Sequence, residues 1–209
     1  VSTELENYWL NKRSKYATEP WASLPSLFAQ TAFPYFEPAS ELLELGAGLG
    51  QDGIWFAEQG IEVTQTDIAI GEMLSVPEEL QVKRERIDLS ERLPYGPASF
   101  DAVYACLSLH YFDWHRTEQL FDEIYDILRP EGVLAVLLNS VKDPEYGQGR
   151  LIEEDYFEID GIKKRYFDLP SLQKLTQRYR PLLIDDQGTS YKDQAKGVSN
   201  LIRFIGKKA

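Results

Sequence analysis

The residues Gly46-Ala47-Gly48-Leu49-Gly50 place glycine at alternate positions, directly after the apolar run Leu42-Leu43-Glu44-Leu45 and directly before a helical pattern. Glycine permits a tight turn and close backbone approach, so a ligand can lie over the strand end and the helix N-terminus. The spacing is Gly-x-Gly-x-Gly, with Gln51 standing where a Gly-x-Gly-x-x-Gly dinucleotide loop has its last glycine. A nicotinamide oxidoreductase is disfavoured on that ground. Asp67 closes the next alternating run, about twenty residues beyond Gly46, the place from which an acid reaches ribose hydroxyls in nucleotide-binding sheets. Its two oxygens suit the two hydroxyls of one ribose. Alone, Asp67 would read as a solvated turn residue; beside the glycine loop it reads as a ribose acceptor.

These residues need a scaffold, and the pattern around them supplies one. Glu41 to Leu45 reads as a buried strand, Gln51 to Gln59 as a helix stopped by Gly60, and Ile61 to Asp67 as a second strand. Ile70 to Leu80 allows at most a short helix, and Val82 to Ile87 alternates with charges like an edge strand. Phe100 to Ala105 is a further strand. Leu120, Phe121, Ile124, Ile127 and Leu128 recur at helical spacing until Arg129-Pro130-Glu131-Gly132 ends the helix, and Val133 to Leu138 is apolar throughout, as for a strand covered on both faces. Helical spacing returns at Leu172, Leu175 and Tyr179 behind Asp168 and Pro170. Pro181 to Ile184 and Leu201 to Ile205 are the last strands. Before Pro38, aromatics broken by Pro20, Pro25 and Pro34 predict short helices and turns. Alternating strands and helices predict a doubly wound α/β sheet.

With Glu44 before the glycines and Asp67 after them, the loop resembles the cofactor loop of class I S-adenosylmethionine-dependent methyltransferases. Ser99 to Phe112, which includes Ala105 and Cys106, resembles that family's fourth-strand motif, and Leu128 to Leu134 its joint before strand five. The motifs run in order over roughly Leu42 to Asn139. The resemblance implies a Rossmann-like sheet of seven strands, mostly parallel with an antiparallel last strand, and S-adenosyl-L-methionine as cofactor. It implies cofactor contacts from Glu44, Gly46, Ala47, Gly48, Gly50, Asp67, Ile68, Asp88, Leu89, Ala105 and Cys106. Asp88 would take the adenine amino group with the Leu89 backbone facing the ring, and Ile68 would pack against it. Glu44 would either fix the loop or match the ammonium of the methionine end. Asp52 further suggests the small-molecule, thiopurine/tellurite-like or methyltransferase-11-like branch. His110 falls near the transferred methyl group, where an imidazole could accept a proton from the acceptor; a packing or helix-cap histidine is the other reading. Cys106 reads as a small buried residue rather than a nucleophile.

The chain has 209 residues with 22 basic and 34 acidic side chains, a formal charge of −12. One domain is the simplest expectation: a helical cap over 1–40, a cofactor half over 41–139 and a substrate half over 140–209. The charge disfavours a polyanionic substrate, so the expected partner is a small-molecule methyl acceptor, with neither nucleic acid nor membrane. One cysteine and two histidines suggest no metal. No signal peptide or spanning segment is recognisable, which predicts a soluble cytoplasmic protein. The oligomeric state is not read from the sequence. Acceptor contacts are expected from the N-terminal region around Tyr8, Trp9 and Trp21 and from Tyr156, Arg165 and Tyr166 on a hairpin turning at Asp160-Gly161. Arg165 would hold a carboxylate or phosphate of the acceptor. A non-catalytic protein that binds the cofactor as a sensor or subunit is the alternative function.

Overall fold

A computed structural model describes residues 2–190 and 199–209. The chain opens with α1 (Ser2–Tyr16), α2 (Leu27–Ala32) and a 3-10 turn (Phe33–Tyr35). Then follow β1 (Glu41–Leu45), α3 (Gln51–Glu58), β2 (Glu62–Asp67), β3 (Val82–Arg86), β4 (Phe100–Cys106), α4 (Trp114–Ile127) and β5 (Leu128–Leu138). A small sheet of β6 (Arg150–Glu153), β7 (Tyr156–Ile159) and β8 (Ile162–Arg165) precedes α5 (Leu169–Leu175), β9 (Tyr179–Gly188) and β10 (Leu201–Lys208).

The main sheet has seven strands in the order β3-β2-β1-β4-β5-β10-β9. Its first five strands pair parallel, and β10 runs antiparallel to both β5 and β9. This is the expected doubly wound α/β sheet. The order reverses between β1 and β4, and in open sheets a crevice forms outside the carboxyl ends of the strands at such a point. The glycine loop leaves β1 there.

Strand alternation gives each face its own core. Leu43, Leu45, Val103 and Val136 pack under the apolar stripe of α4 (Leu120, Phe121, Ile124), while Leu42, Val63, Tyr104 and Leu137 pack under Phe56 of α3 and Phe28 of α2. Asp113 caps α4 by accepting from the Arg116 N–H at 2.8 Å, and Asp168 forms a capping box with Ser171 on α5.

Three elements differ from expectation. Ser2 to Tyr16 is a single 15-residue helix rather than short pieces, because the prolines begin only at Pro20. Between Ile70 and Leu80 a 3-10 turn over Ile70–Glu72 forms, within the limit of a short helix read from the sequence. Arg129 to Gly132 ends α4 as expected but is itself a bulge within β5: Phe100 pairs with Leu128 and Ala102 already pairs with Val133, with Glu131 at φ 63°. Tyr179 belongs to β9 rather than to the preceding helix. The expected hairpin is present as β7–β8. Asp160 and Gly161, at φ 51° and 80°, have the left-handed geometry of a two-residue turn, and β6 adds a strand that the pattern did not announce.

Candidate functional site

The loop after β1 is tied to the end of β2. The N–H groups of Gly46 and Ala47 both donate to the Thr66 carbonyl at 2.9 Å, and Thr66 Oγ1 donates to the Glu44 carbonyl at 2.8 Å. Gly46 has φ +72°, and a Cβ there would strike the Ser108 side chain, so this position admits no larger residue. Gly48 N–H donates to Asp67 Oδ2 and Ala69 N–H to Asp67 Oδ1, each at 2.9 Å. One carboxylate therefore couples the glycine loop to the β2 end. Its remaining acceptor capacity faces Arg13 of α1, which forms a buried ion pair with Asp67 and also donates to the Ala69 carbonyl.

These groups open into a cavity of about 420 Å³. Glu44, Gly46, Ala47, Gly48, Asp67, Ile68, Asp88, Leu89 and Cys106 all line it. The size is within the range of small-molecule sites, roughly 300–1,000 Å³. Gly50 and Ala105 stand behind this wall: Gly50 is the left-handed N-cap of α3 at φ 86°, and Ala105 is buried in β4. Asp88 accepts from both the N–H and the hydroxyl of Ser90 through Oδ1 and leaves Oδ2 for a further donor.

Glu44 is wholly buried, accepts from Gln65 Nε2 at 2.9 Å and lies against Gly53, where a Cβ would collide with its carboxylate. Burial first, and then the neighbouring Asp52, raise its pKa well above the usual carboxylate range. The sign follows from linkage: a raised native pKa means stability present at low pH that is lost as pH climbs from about 4.3, the unfolded glutamate value, through the native one. Glu44→Gln is therefore expected to match the wild type near pH 4 and to become progressively more stable than it toward neutrality. Denaturant titrations across that pH range check this, and a constant difference would assign the buried strain elsewhere.

Several expected acceptor contacts are not in the cavity wall. Tyr156 and Arg165 are cross-strand partners on the face of the small sheet turned inward, so packing consumes both. The Arg165 guanidinium bonds the Glu153 carboxylate and the carbonyls of Phe112 and Glu154, over the rings of Tyr156 and Trp114. With all three nitrogens engaged and only 3% of its surface exposed, it does not reach the cavity. Tyr156 donates to the Tyr111 carbonyl at 3.0 Å, and Tyr166 is buried against Tyr146 and Phe157. His110 is only 2% exposed and lies behind the wall; its carbonyl accepts from the Arg165 N–H at 2.7 Å and its ring tilts against Tyr111. Tyr8 stands outside the wall and accepts from Lys12, whereas Trp9 lines the cavity edge-on to Tyr111.

The wall also holds Trp21, one of the N-terminal residues named above, with Arg13 and Tyr16 beside it, Ser26 and Asp52, and the hairpin turn at Gly161, Ile162 and Lys163. The aromatic richness before Pro38 was a visible signal for the first group. Nothing in the spacing marked Arg13 or Ser26.

The sheet order, the glycine loop leaving β1 and the acids ending β2 and following β3 define the class I methyltransferase fold. Residues 43–136 match a family model described as a methyltransferase domain. An uncharacterised methyltransferase of Synechocystis is 28% identical over 104 residues, covering 48% of this chain and 47% of the relative. Phosphoethanolamine N-methyltransferase 2 of Caenorhabditis elegans is 24% identical over 80% of this chain and 41% of its own. The chain thus spans about half the length of the curated relatives it matches. In structure, it superposes with a TM-score of 0.71 on a Burkholderia thailandensis 1,6-didemethyltoxoflavin-N1-methyltransferase with bound 1,6-didemethyltoxoflavin and S-adenosylhomocysteine, 21% identical and covering 100% and 87% of the two chains. A Methanosarcina mazei methyltransferase gives 0.69 at 18% identity, over 85% and 96%. Over residues 43–136 the chain matches a methyltransferase domain, and its fold is that of the S-adenosylmethionine-dependent methyltransferases on which it superposes.

Proposed function

We propose that this protein binds S-adenosylmethionine in the cavity and transfers its methyl group to a small-molecule acceptor, leaving S-adenosylhomocysteine. The observation that carries the reading is that one cavity joins the glycine loop, the Asp67 carboxylate and Asp88-Leu89 to an aromatic-walled remainder. The residues suit such a ligand. Gly48 faces open space, with nothing within 4 Å of where its Cβ would stand, and Asp67 and Asp88 supply acceptor oxygens at separate points of the wall. Asp67 would take the ribose hydroxyls, Asp88 the adenine amine, and Ile68 and Leu89 the ring faces. Glu44, held by Gln65 behind the loop, would fix the loop rather than reach far into the cavity.

The bound sulfonium supplies an electrophilic methyl group, so the protein's own task is mainly alignment and exclusion of water. Trp9, Tyr16 and Trp21 close one side and the hairpin turn another. Lys163 on that turn makes no ion pair among the described residues, and it takes over the role expected of Arg165: holding an acidic group on the acceptor. A net charge of −12 supports a small acceptor over a nucleic acid. Among the described residues no helix is long and apolar enough to cross a membrane, in keeping with the cytoplasmic setting proposed here.

S-adenosylhomocysteine at about a hundred times its Kd should stabilise the native state by about 2.7 kcal/mol, which raises the melting temperature by roughly 5–10 °C in a chain of this size. NAD should leave it unchanged. An unmoved curve with S-adenosylhomocysteine would refute the proposal. Transfer of a labelled methyl group to some member of a metabolite panel separates an enzyme from a sensor that merely binds the cofactor.

A further inference from the structure

Asp52 is a buried carboxylate in the cavity wall that no cation among the described residues neutralises. It makes no ion pair among the described residues and is held only by neutral donors: the Ser26 N–H on Oδ1 at 2.6 Å, and the hydroxyls of Ser26 and Tyr104 on Oδ2, each at 2.7 Å. The groups around it come from several elements. Glu44 approaches from β1, Tyr104 and Cys106 from β4, and Ser26 from the N-cap of α2; the nearest further titratable groups are thus acids or weak acids. Ser26, Asp52 and Cys106 all face the cavity, whereas His110 does not.

A carboxylate that served only to anchor α2 would need neither a place in the cavity wall nor a second hydroxyl from the sheet. The geometry points to a proton-accepting dyad, in which the acceptor's N–H or O–H donates to Ser26 Oγ while the Ser26 proton passes to Asp52 Oδ2. This rests on the methyl-transfer reading given above and deepens it. Methylation of a neutral nitrogen or oxygen leaves that atom with one proton too many. The acceptor's lone pair bonds the methyl carbon, the carbon–sulfur electron pair stays on sulfur as a thioether, and the surplus proton travels through the serine to the carboxylate. Charge balances, because the sulfonium cation and the carboxylate anion both become neutral. Burial lifts the Asp52 pKa above the ordinary aspartate value against the pull of its three donors, which strengthens the carboxylate as a proton acceptor. Tyr104 is fully buried, and burial drives its pKa far up, so it remains a donor that orients the carboxylate: a positioning residue. The acceptor class that follows is a small N–H or O–H nucleophile, not a thiol, which ionises unaided.

The test uses labelled S-adenosylmethionine with a panel of phenols, catechols and aromatic N–H heterocycles, and a parallel panel of thiols, on wild type, Asp52→Asn, Ser26→Ala and Ser26→Thr. Calorimetry with S-adenosylhomocysteine runs alongside. The expected result is unchanged S-adenosylhomocysteine affinity in all four proteins. Turnover of an N–H or O–H compound should fall on the order of a hundredfold in Asp52→Asn and Ser26→Ala and recover in Ser26→Thr. The acid limb of the wild-type pH profile should vanish in Asp52→Asn. The dyad is overturned if both variants keep wild-type turnover and pH profile, if they lose affinity for S-adenosylhomocysteine instead, or if methyl transfer is absent from the N–H and O–H panel. Failure of wild-type protein to bind S-adenosylhomocysteine at all is the separate failure of the methyltransferase reading. Should Asp52→Asn not fold, the contrast between Ser26→Ala and Ser26→Thr decides alone.

Discussion

Gly48→Val is expected to abolish binding of S-adenosylhomocysteine, while Gly60→Val leaves it intact. The two glycines make a matched pair. Gly48 has φ +63° and Gly60 φ +87°, and neither has an atom within 4 Å of a built Cβ. A β-branched residue is strained in that backbone region by roughly 1–3 kcal/mol at either site. Both variants should therefore lose similar stability. The difference lies in what the open space is for: Gly48 faces the cavity, whereas Gly60 is exposed between α3 and β2 and lies outside the cavity lining. A valine at 48 fills the volume that a ligand backbone must enter, so its effect is on binding. Calorimetry on both variants, read beside their denaturation curves, checks this. Normal affinity in Gly48→Val, or equal losses in the two, would remove the glycine loop from the site.

How far the site could be read in advance depended on whether its groups were neighbours in sequence. The glycine loop and the acids at 67 and 88 each sit at the end of a strand, so periodicity places them as soon as the strands are recognised. The core strands were legible for the same reason: Val133 to Leu138 is apolar throughout because both faces of β5 are covered. Arg165 shows the opposite case. A cation among aromatics looks ready for a ligand, yet its partner Glu153 lies on a strand whose pairing only the fold reveals. His110 likewise follows β4 at the expected place, but it is buried against the Tyr111 ring and does not line the cavity. Ser26, Asp52 and Tyr104 come from three separate segments, and their convergence has no local signature. Arg13 has no local signature either: it lies on α1, and the prolines that start four residues after that helix ends give the N-terminal segment a pattern of turns.

Arg13 sets the largest expected effect at the ribose end. A carboxylate offers about four lone-pair sites. In Asp67 the N–H groups of Gly48 and Ala69 take two, and the Arg13 guanidinium takes another. Two ribose hydroxyls need two, so both can bind only if Arg13 withdraws. Asp67→Ala should weaken S-adenosylmethionine binding by about 1.5–3 kcal/mol, roughly ten- to a hundredfold, through loss of a charged acceptor. It should also destabilise the fold by about 3–5 kcal/mol, because the buried Arg13 is left without a counter-charge. Arg13→Met separates the two effects: it removes the competitor and keeps the apolar stem, so cofactor affinity should rise. In the double variant the stability lost in Asp67→Ala should largely return while the affinity stays low. Equal affinity in wild type and Asp67→Ala would end the ribose assignment. Weaker binding in Arg13→Met would instead make Arg13 a cofactor contact, and α1 a wall of the site rather than a segment that must give way to the ligand.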